Sequence, residues 1–262
     1  MLFQDRIIKT VDDYISKHSL PHTLMLEGDI GCGKRLLCEY IAKQISAELV
    51  DLTENISLQT LEEIQLCVTT KVYYINSEEL SIKEQNAILK FLEEPLRNAY
   101  IVLCTANKNL LLPTVVNRCV HISFDKYTPE QLATFLEDTT KQIVLKYAQT
   151  PGQVKEFSNH DIAEMEIFAN KVLTQVGVAT YSNVLKIPNS INFTKEPSAL
   201  FDFEVFRFIL INVASNLYKQ NIISYKTFEI VNNFNRDCNI PRINKQYLFE
   251  HFIITLKQGT DA

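Results

Sequence analysis

A chain of 262 residues, 46% of them hydrophobic, is long enough to bury a substantial core and to form roughly two domains. Its formal net charge of −5 excludes a global electrostatic pull toward nucleic acid or an anionic membrane, so any DNA contact is local or supplied by a partner. No segment approaches the roughly eighteen apolar residues of a membrane span, no apolar signal core opens the chain, and a cytoplasmic protein without membrane contact is expected.

Residues 2–17 place Leu2, Ile7, Ile8, Val11, Tyr14 and Ile15 at helical spacing and predict an amphipathic helix. Leu24–Leu26 reads as a short strand, followed by a glycine-rich loop and a helix over Leu36–Ile45. A second apolar run covers Glu48–Leu52, and a helix is expected over Thr60–Val68. Val72–Ile75 is a buried strand, followed by a polar elbow and a helix over Ile82–Leu92 that stops at Pro95. Tyr100–Cys104 is the next strand, Leu110–Val116 a short helical turn with Pro113 inside it, and Val120–Phe124 the last strand. Short apolar strands alternating with helices predict a parallel sheet covered on both faces.

After Phe124 the pattern changes. Thr128-Pro-Glu-Gln is a helix start with proline behind a threonine cap, and another helix begins near Pro151. From Asp161 onward only helices are expected, over about 161–176, 203–220, 225–236 and 244–257, with a turn-rich linker between Ile187 and Ser198. The division expected is an α/β domain over 1–124, a small helical domain over 125–159 and an all-helical domain over 160–262.

Three of the chain's six glycines, Gly28, Gly31 and Gly33, fall within Gly28-Asp-Ile-Gly-Cys-Gly-Lys34-Arg35. Directly after a strand, this is a phosphate cradle. Glycines let successive N–H groups, including that of Cys32, turn toward an anion; the next helix offers its N-terminus, and Lys34 reaches the outer phosphates. Arg35 stands where a hydroxyl would hold Mg²⁺, and a guanidinium has no lone pair for a metal. The strand Val72–Ile75 ends in Asn76 where nucleotide hydrolases carry a metal-orienting carboxylate, although Glu78 or Glu79 could shift into that role. Two metal-handling positions are thus lost together. Nucleotide binding without Mg²⁺-dependent hydrolysis stays open, with Arg35 supplying some of the missing positive charge. Thr105 or Asn107 is a candidate γ-phosphate sensor, with a turn-capping role the stronger reading of either alone. Arg118, in Leu112-Pro-Thr-Val-Val-Asn-Arg-Cys119, sits between two strands on the domain's rim and is a candidate arginine finger, set against the ordinary role of an exposed arginine as a solvated surface group. The cysteines (32, 38, 67, 104, 119 and 238) and five histidines are dispersed, so reduced thiols and no metal centre are expected.

The order of these blocks, Leu20–Lys34, Lys71–Ile75, Asn86-Ala-Ile-Leu-Lys-Phe-Leu-Glu-Glu-Pro95 and Leu112–Cys119, resembles the AAA+ clamp-loader subunits of bacterial or phage replicative DNA polymerases, the delta-prime type most of all. Thr150-Pro-Gly-Gln-Val is similar to their lid-helix turn, and Asn239-Ile-Pro-Arg-Ile-Asn-Lys-Gln-Tyr to the lead-in of their last collar helix. The resemblance implies a three-layer AAA+ domain, a helical lid and a helical collar. It implies a stator in a hetero-pentamer that does not itself hydrolyse ATP, requires no cofactor, binds ATP or ADP at most without hydrolysis, and donates Arg118 in trans. Partners implied are the other loader subunits, primer–template DNA and the sliding clamp. Gln153 replaces the lid arginine of motor subunits, Asn117 the usual serine before Arg118, and the four-cysteine zinc insert is missing. The alternative is an ATP-hydrolysing motor subunit. In the collar, a stripe of Phe203, Phe206, Ile209 and Leu210 is expected to pack against partners, set against an ordinary internal core that would take most of it.

Overall fold

The computed structural model describes residues 3–53, 64, 68–77, 80–93, 98–192, 201–238, 240 and 243–260. These form two compact units, one of residues 1–135 with 149–154, the other of 136–148 with 155–262.

The first unit is built on parallel strands in the order β2-β3-β4-β1-β5, where β1 is Thr23–Glu27, β2 Glu48–Asp51, β3 Lys71–Asn76, β4 Ala99–Thr105 and β5 Val120–Ser123. Register is set by alternating burial, because a slip of one residue would turn each core side chain to the opposite face. On one face Met25, Tyr73, Ile75, Ile101 and Leu103 pack with Ile88, Phe91 and Leu92 of helix α3, Ile82–Glu93. On the other, Leu24, Leu26, Val72, Val102, Cys104 and Ile122 pack with Ile7 and Val11 of α1, Asp5–Ser16, and with Leu37, Cys38 and Ile41 of α2, Lys34–Gln44. Both faces are therefore covered, as parallel strands with apolar residues throughout require.

Local chemistry fixes the helix starts. Ser81 and Glu84 exchange bonds at the start of α3, the Ser81 amide donating to Glu84 Oε2 at 2.8 Å and the Glu84 amide to Ser81 Oγ at 3.3 Å. Thr128 and Gln131 do the same for Pro129–Ala133. Pro113 does not lie inside a helical turn as expected; it opens α4, Pro113–Val116, at a position where its missing N–H costs nothing. The helix expected over Thr60–Val68 lies outside the described residues except at its buried Ile64 and its end at Val68, and Glu78, Glu79, Glu94 and Pro95 also lie outside them.

The second unit is mainly helical: Ile162–Gln175, Phe203–Lys219, Tyr225–Cys238 and Lys245–Thr260. Two findings correct the expectations. A two-residue parallel pair, Ile191–Asn192 with Phe201–Asp202, forms where no strand was expected, because its pairing partner is brought by the fold and two residues carry no periodicity. Phe203, Phe206, Ile209 and Leu210 are at most 3% exposed, so the stripe expected to meet partner subunits is this unit's own core. Phe206 meets Phe249 edge-on at 6.0 Å, and Phe234 stacks on Phe252 at 4.5 Å.

Candidate functional site

The carboxyl ends of β1, β2, β3 and β4 bring together the glycine loop, Asp51, Asn76 and Thr105, the edge at which open parallel sheets bind ligands. Gly31 and Gly33 have φ of +83° and +109°, conformations that favour glycine and curl the loop over the start of α2. Gly28 is demanded by space instead, since a Cβ there would lie 2.8 Å from both Cys32 Sγ and Phe124 Cβ.

The loop is braced from a distant stretch of the same unit. The Gly152 amide donates to Gly31 O at 3.0 Å, Thr150 Oγ1 donates to Ile30 O at 2.8 Å, and Tyr127 Oη donates to Cys32 O at 3.0 Å. The sequence marked Thr150-Pro-Gly as a helix start, but nothing in it pairs that turn with the loop. Gln153 turns its side chain back to accept the Gln149 amide at 2.8 Å.

Lys34 is engaged by its own loop: Nζ donates to the carbonyls of Gly28 and, at 3.2 Å, of Asp29. Arg35 reaches sideways, with Nη1 2.5 Å from Asp51 Oδ2, Nε 3.6 Å from Glu39 Oε1, and Cζ 5.4 Å from the Tyr74 ring centre. Burial pushes the Asp51 carboxyl up, but hydrogen bonds from Thr53 and Arg35 outweigh it and hold the carboxyl below the ordinary aspartate value. Asp51 went unnoticed as a site residue; its place at the end of a strand beside the loop was the available signal. Lys34, Arg35, Tyr74 and Asn76 share one open cleft of about 340 Å³ with Gly31 and Gly33. Its backbone suits a polyphosphate. Among the described residues that line it, the Arg35 guanidinium, already paired with Asp51, and the neutral amide of Asn76 offer no anionic oxygen to a cation.

The remaining expected residues are engaged in structure. Thr105 is fully buried, its hydroxyl donating to Asn107 O at 3.0 Å, while Asn107 Oδ1 accepts the Asn109 amide at 2.9 Å and caps a short 3₁₀ turn. Burial raises the Cys32 thiol to about 11, so its sulfur is no nucleophile near neutral pH.

Arg118 lies at the opposite edge of the sheet. It precedes β5, and its carbonyl accepts from Thr23 Oγ1 at 2.7 Å, at the start of the strand whose far end opens the glycine loop. Some 13 Å of strand therefore separates it from its own loop. The side chain is 35% exposed; Nη2 lies 2.5 Å from Glu93 Oε1 and Nη1 donates to Thr114 O at 2.8 Å. Glu93 was read only as part of a motif, and its pairing with Arg118 was not foreseen.

Among the described residues no helix is long and apolar enough to cross a membrane, and no cluster of three or more His, Cys, Asp or Glu side chains is arranged to hold a metal.

A family model described as "DNA polymerase III, delta subunit" matches residues 47–128. The chain is 24% identical over 194 residues to DNA polymerase III subunit delta' of Bacillus subtilis (58% of this chain, 57% of the relative). It is 24% identical over 163 residues to subunit tau of the same organism (49% and 29%), and 25% identical over 174 residues to subunit gamma of Buchnera aphidicola (53% and 48%). The matched region thus spans about half the length of these relatives or less. In fold, the chain is similar to a DNA polymerase III gamma-subunit-related protein of Thermotoga maritima (TM-score 0.54, 13% identity, 95% of this chain and 99% of that one). It is also similar to a mutant RuvB of the same genus (TM-score 0.50, 15% identity, 65% of each chain). The parallel-sheet unit and the helical unit thus share their fold with these structures, and over about half its length the chain is similar in sequence to the delta', tau and gamma subunits of DNA polymerase III.

Proposed function

We propose that the chain is the stator-like subunit of a sliding-clamp loader, one that does not hydrolyse ATP and donates Arg118 to the ATP site of a neighbouring subunit. The observation that carries this reading is the position of the cations. At the loop, Lys34 is held by the Gly28 and Asp29 carbonyls and Arg35 by Asp51, while Arg118 sits on the far edge of the sheet, out of reach of its own loop and open to another molecule. An arginine offered to a transferred phosphoryl group neutralises the charge that develops there and can raise the rate about 10³-fold or more.

In this reading the chain works as three parts, 1–124, 125–159 and 160–262, in a cytoplasmic hetero-pentamer with primer–template DNA and the sliding clamp. The glycine loop holds ATP or ADP, if at all, through its backbone and Lys34 without a metal step, and Thr105 and Asn107 act as turn residues rather than sensors. Because the Phe203–Leu210 stripe is internal, any collar contact falls on other side chains, such as the exposed Tyr181, Leu185, Tyr225 and Tyr247.

A second reading, an ATP-hydrolysing motor subunit, draws on the fact that the chain is as similar to gamma and tau as to delta'. The two separate in one assay. The isolated chain supplied with Mg-ATP is expected to show no turnover; turnover that disappears in Lys34→Ala would establish the motor reading instead.

A further inference from the structure

The guanidinium of Arg118 is held in place before any partner arrives. Its Nη2 is 2.5 Å from Glu93 Oε1 and its Nη1 2.8 Å from Thr114 O, so two of its five N–H donors are taken on one side. The backbone beneath is anchored as well, the Arg118 amide donating to Val115 O at 3.1 Å and its carbonyl accepting from Thr23.

Glu93 is itself fixed relative to that turn. It ends α3, whose Ile88, Phe91 and Leu92 are buried in the sheet core. From the same helix Gln85, only 4% exposed, accepts the Leu112 amide at 2.8 Å and donates to Leu80 O at 3.2 Å. A buried amide thus ties the helix that carries the carboxylate to the loop that carries the arginine. The geometry points to a role for this arrangement, which rests on the arginine-finger reading above: Glu93 is the positioning residue for Arg118, holding its guanidinium at the rim with its remaining donors available to a phosphoryl group.

The physical gain is preorganisation. A long arginine side chain loses much rotamer freedom when it binds, and a fork already restrained by Glu93 and Thr114 loses less. The contribution of one half-exposed ion pair is small, so its removal should cost about three- to fivefold in rate.

The test uses the complex that this chain forms with its partner subunits, with ATP turnover as the readout. Glu93→Ala is expected to lower kcat about three- to fivefold with KM for ATP unchanged, Glu93→Gln to recover most of the loss, and Glu93→Ala to add nothing in an Arg118→Ala background. Glu93→Asp, which keeps the charge on a shorter arm, should fall between wild type and alanine, and it carries the test if the alanine variant does not fold. Guanidinium ¹⁵N NMR of the isolated chain should show restrained Arg118 Nη groups that become free in Glu93→Ala. Faster turnover in Glu93→Ala would mean that the pair restrains the finger rather than presenting it, and would overturn the inference. Unchanged turnover in Glu93→Ala, with Arg118→Ala strongly impaired, would overturn it while leaving the finger intact. If Arg118→Ala itself turned over normally, the arginine-finger reading would fall, and this inference with it.

Discussion

Gly152→Ala tests the brace that holds the glycine loop. A Cβ at Gly152 would lie 2.5 Å from Gly31 Cα and 3.0 Å from Gly31 O, and these are backbone atoms that cannot swing aside. Overpacking of this kind costs about 1–3 kcal/mol, and parting the two segments also removes the Gly152–Gly31 hydrogen bond, worth about 1 kcal/mol. Against this, alanine is the better helix former by up to about 1 kcal/mol in the first turn of Pro151–Phe157. The net expectation is a loss of about 2 kcal/mol, or about 4–8 °C in the transition of the unit that contains the loop. Gly259→Ala is the internal control: there a Cβ meets the tip of the flexible Ile230 side chain at 2.8 Å, and helix propensity should leave stability equal or higher. Thermal unfolding followed by far-UV circular dichroism reads both variants. A Gly152→Ala protein as stable as wild type would refute the close approach of loop and turn.

Three further outcomes follow from packing and charge. Cys32, with its thiol raised to about 11 by burial, should carry thiolate in only about one molecule in several thousand at pH 7.5 and react with iodoacetamide far more slowly than a free thiol until the protein unfolds; rapid native labelling would contradict its burial. The Asp51 carboxyl is held below its ordinary value of 3.8, so what it contributes to stability is present above the usual aspartate range and is lost as pH falls through the lowered folded value. The stability deficit of Asp51→Asn in urea unfolding should therefore be small at pH 7, since the pair with Arg35 is partly exposed, and should shrink toward zero as the pH falls through that lowered value; a deficit that grew on acidification would be the wrong sign. Phe206→Ala removes a fully buried ring from the helical unit and should cost about 3–5 kcal/mol by chemical denaturation; a loss under 1 kcal/mol would mean that this core is not packed as described.

The sheet was legible because its strands are short apolar runs separated by helical spacing, and because closely spaced glycines after Leu26 leave few alternatives to a phosphate loop. The residue types at 35 and 76, a guanidinium and a neutral amide, were equally legible, since they are read directly from the sequence. What could not be read were the partners of those side chains. Arg35 and Asp51, Gly31 and Gly152, and Glu93 and Arg118 meet only when the strand order β2-β3-β4-β1-β5 and the return of residues 149–154 bring them together. The fate of the Phe203–Leu210 stripe was ambiguous for a related reason: helical periodicity marks an apolar face but does not say whether the chain itself or a partner covers it.

The account turns on which cation serves catalysis, the lysine in the chain's own loop or the arginine on its far edge. ATP turnover by the assembled complex, measured side by side for Lys34→Ala and Arg118→Ala, addresses that directly. The account predicts near-normal turnover for Lys34→Ala and, for Arg118→Ala, loss of activity at the site that the arginine completes, on the order of 10³-fold there. Collapse with Lys34→Ala and normal turnover with Arg118→Ala would contradict it.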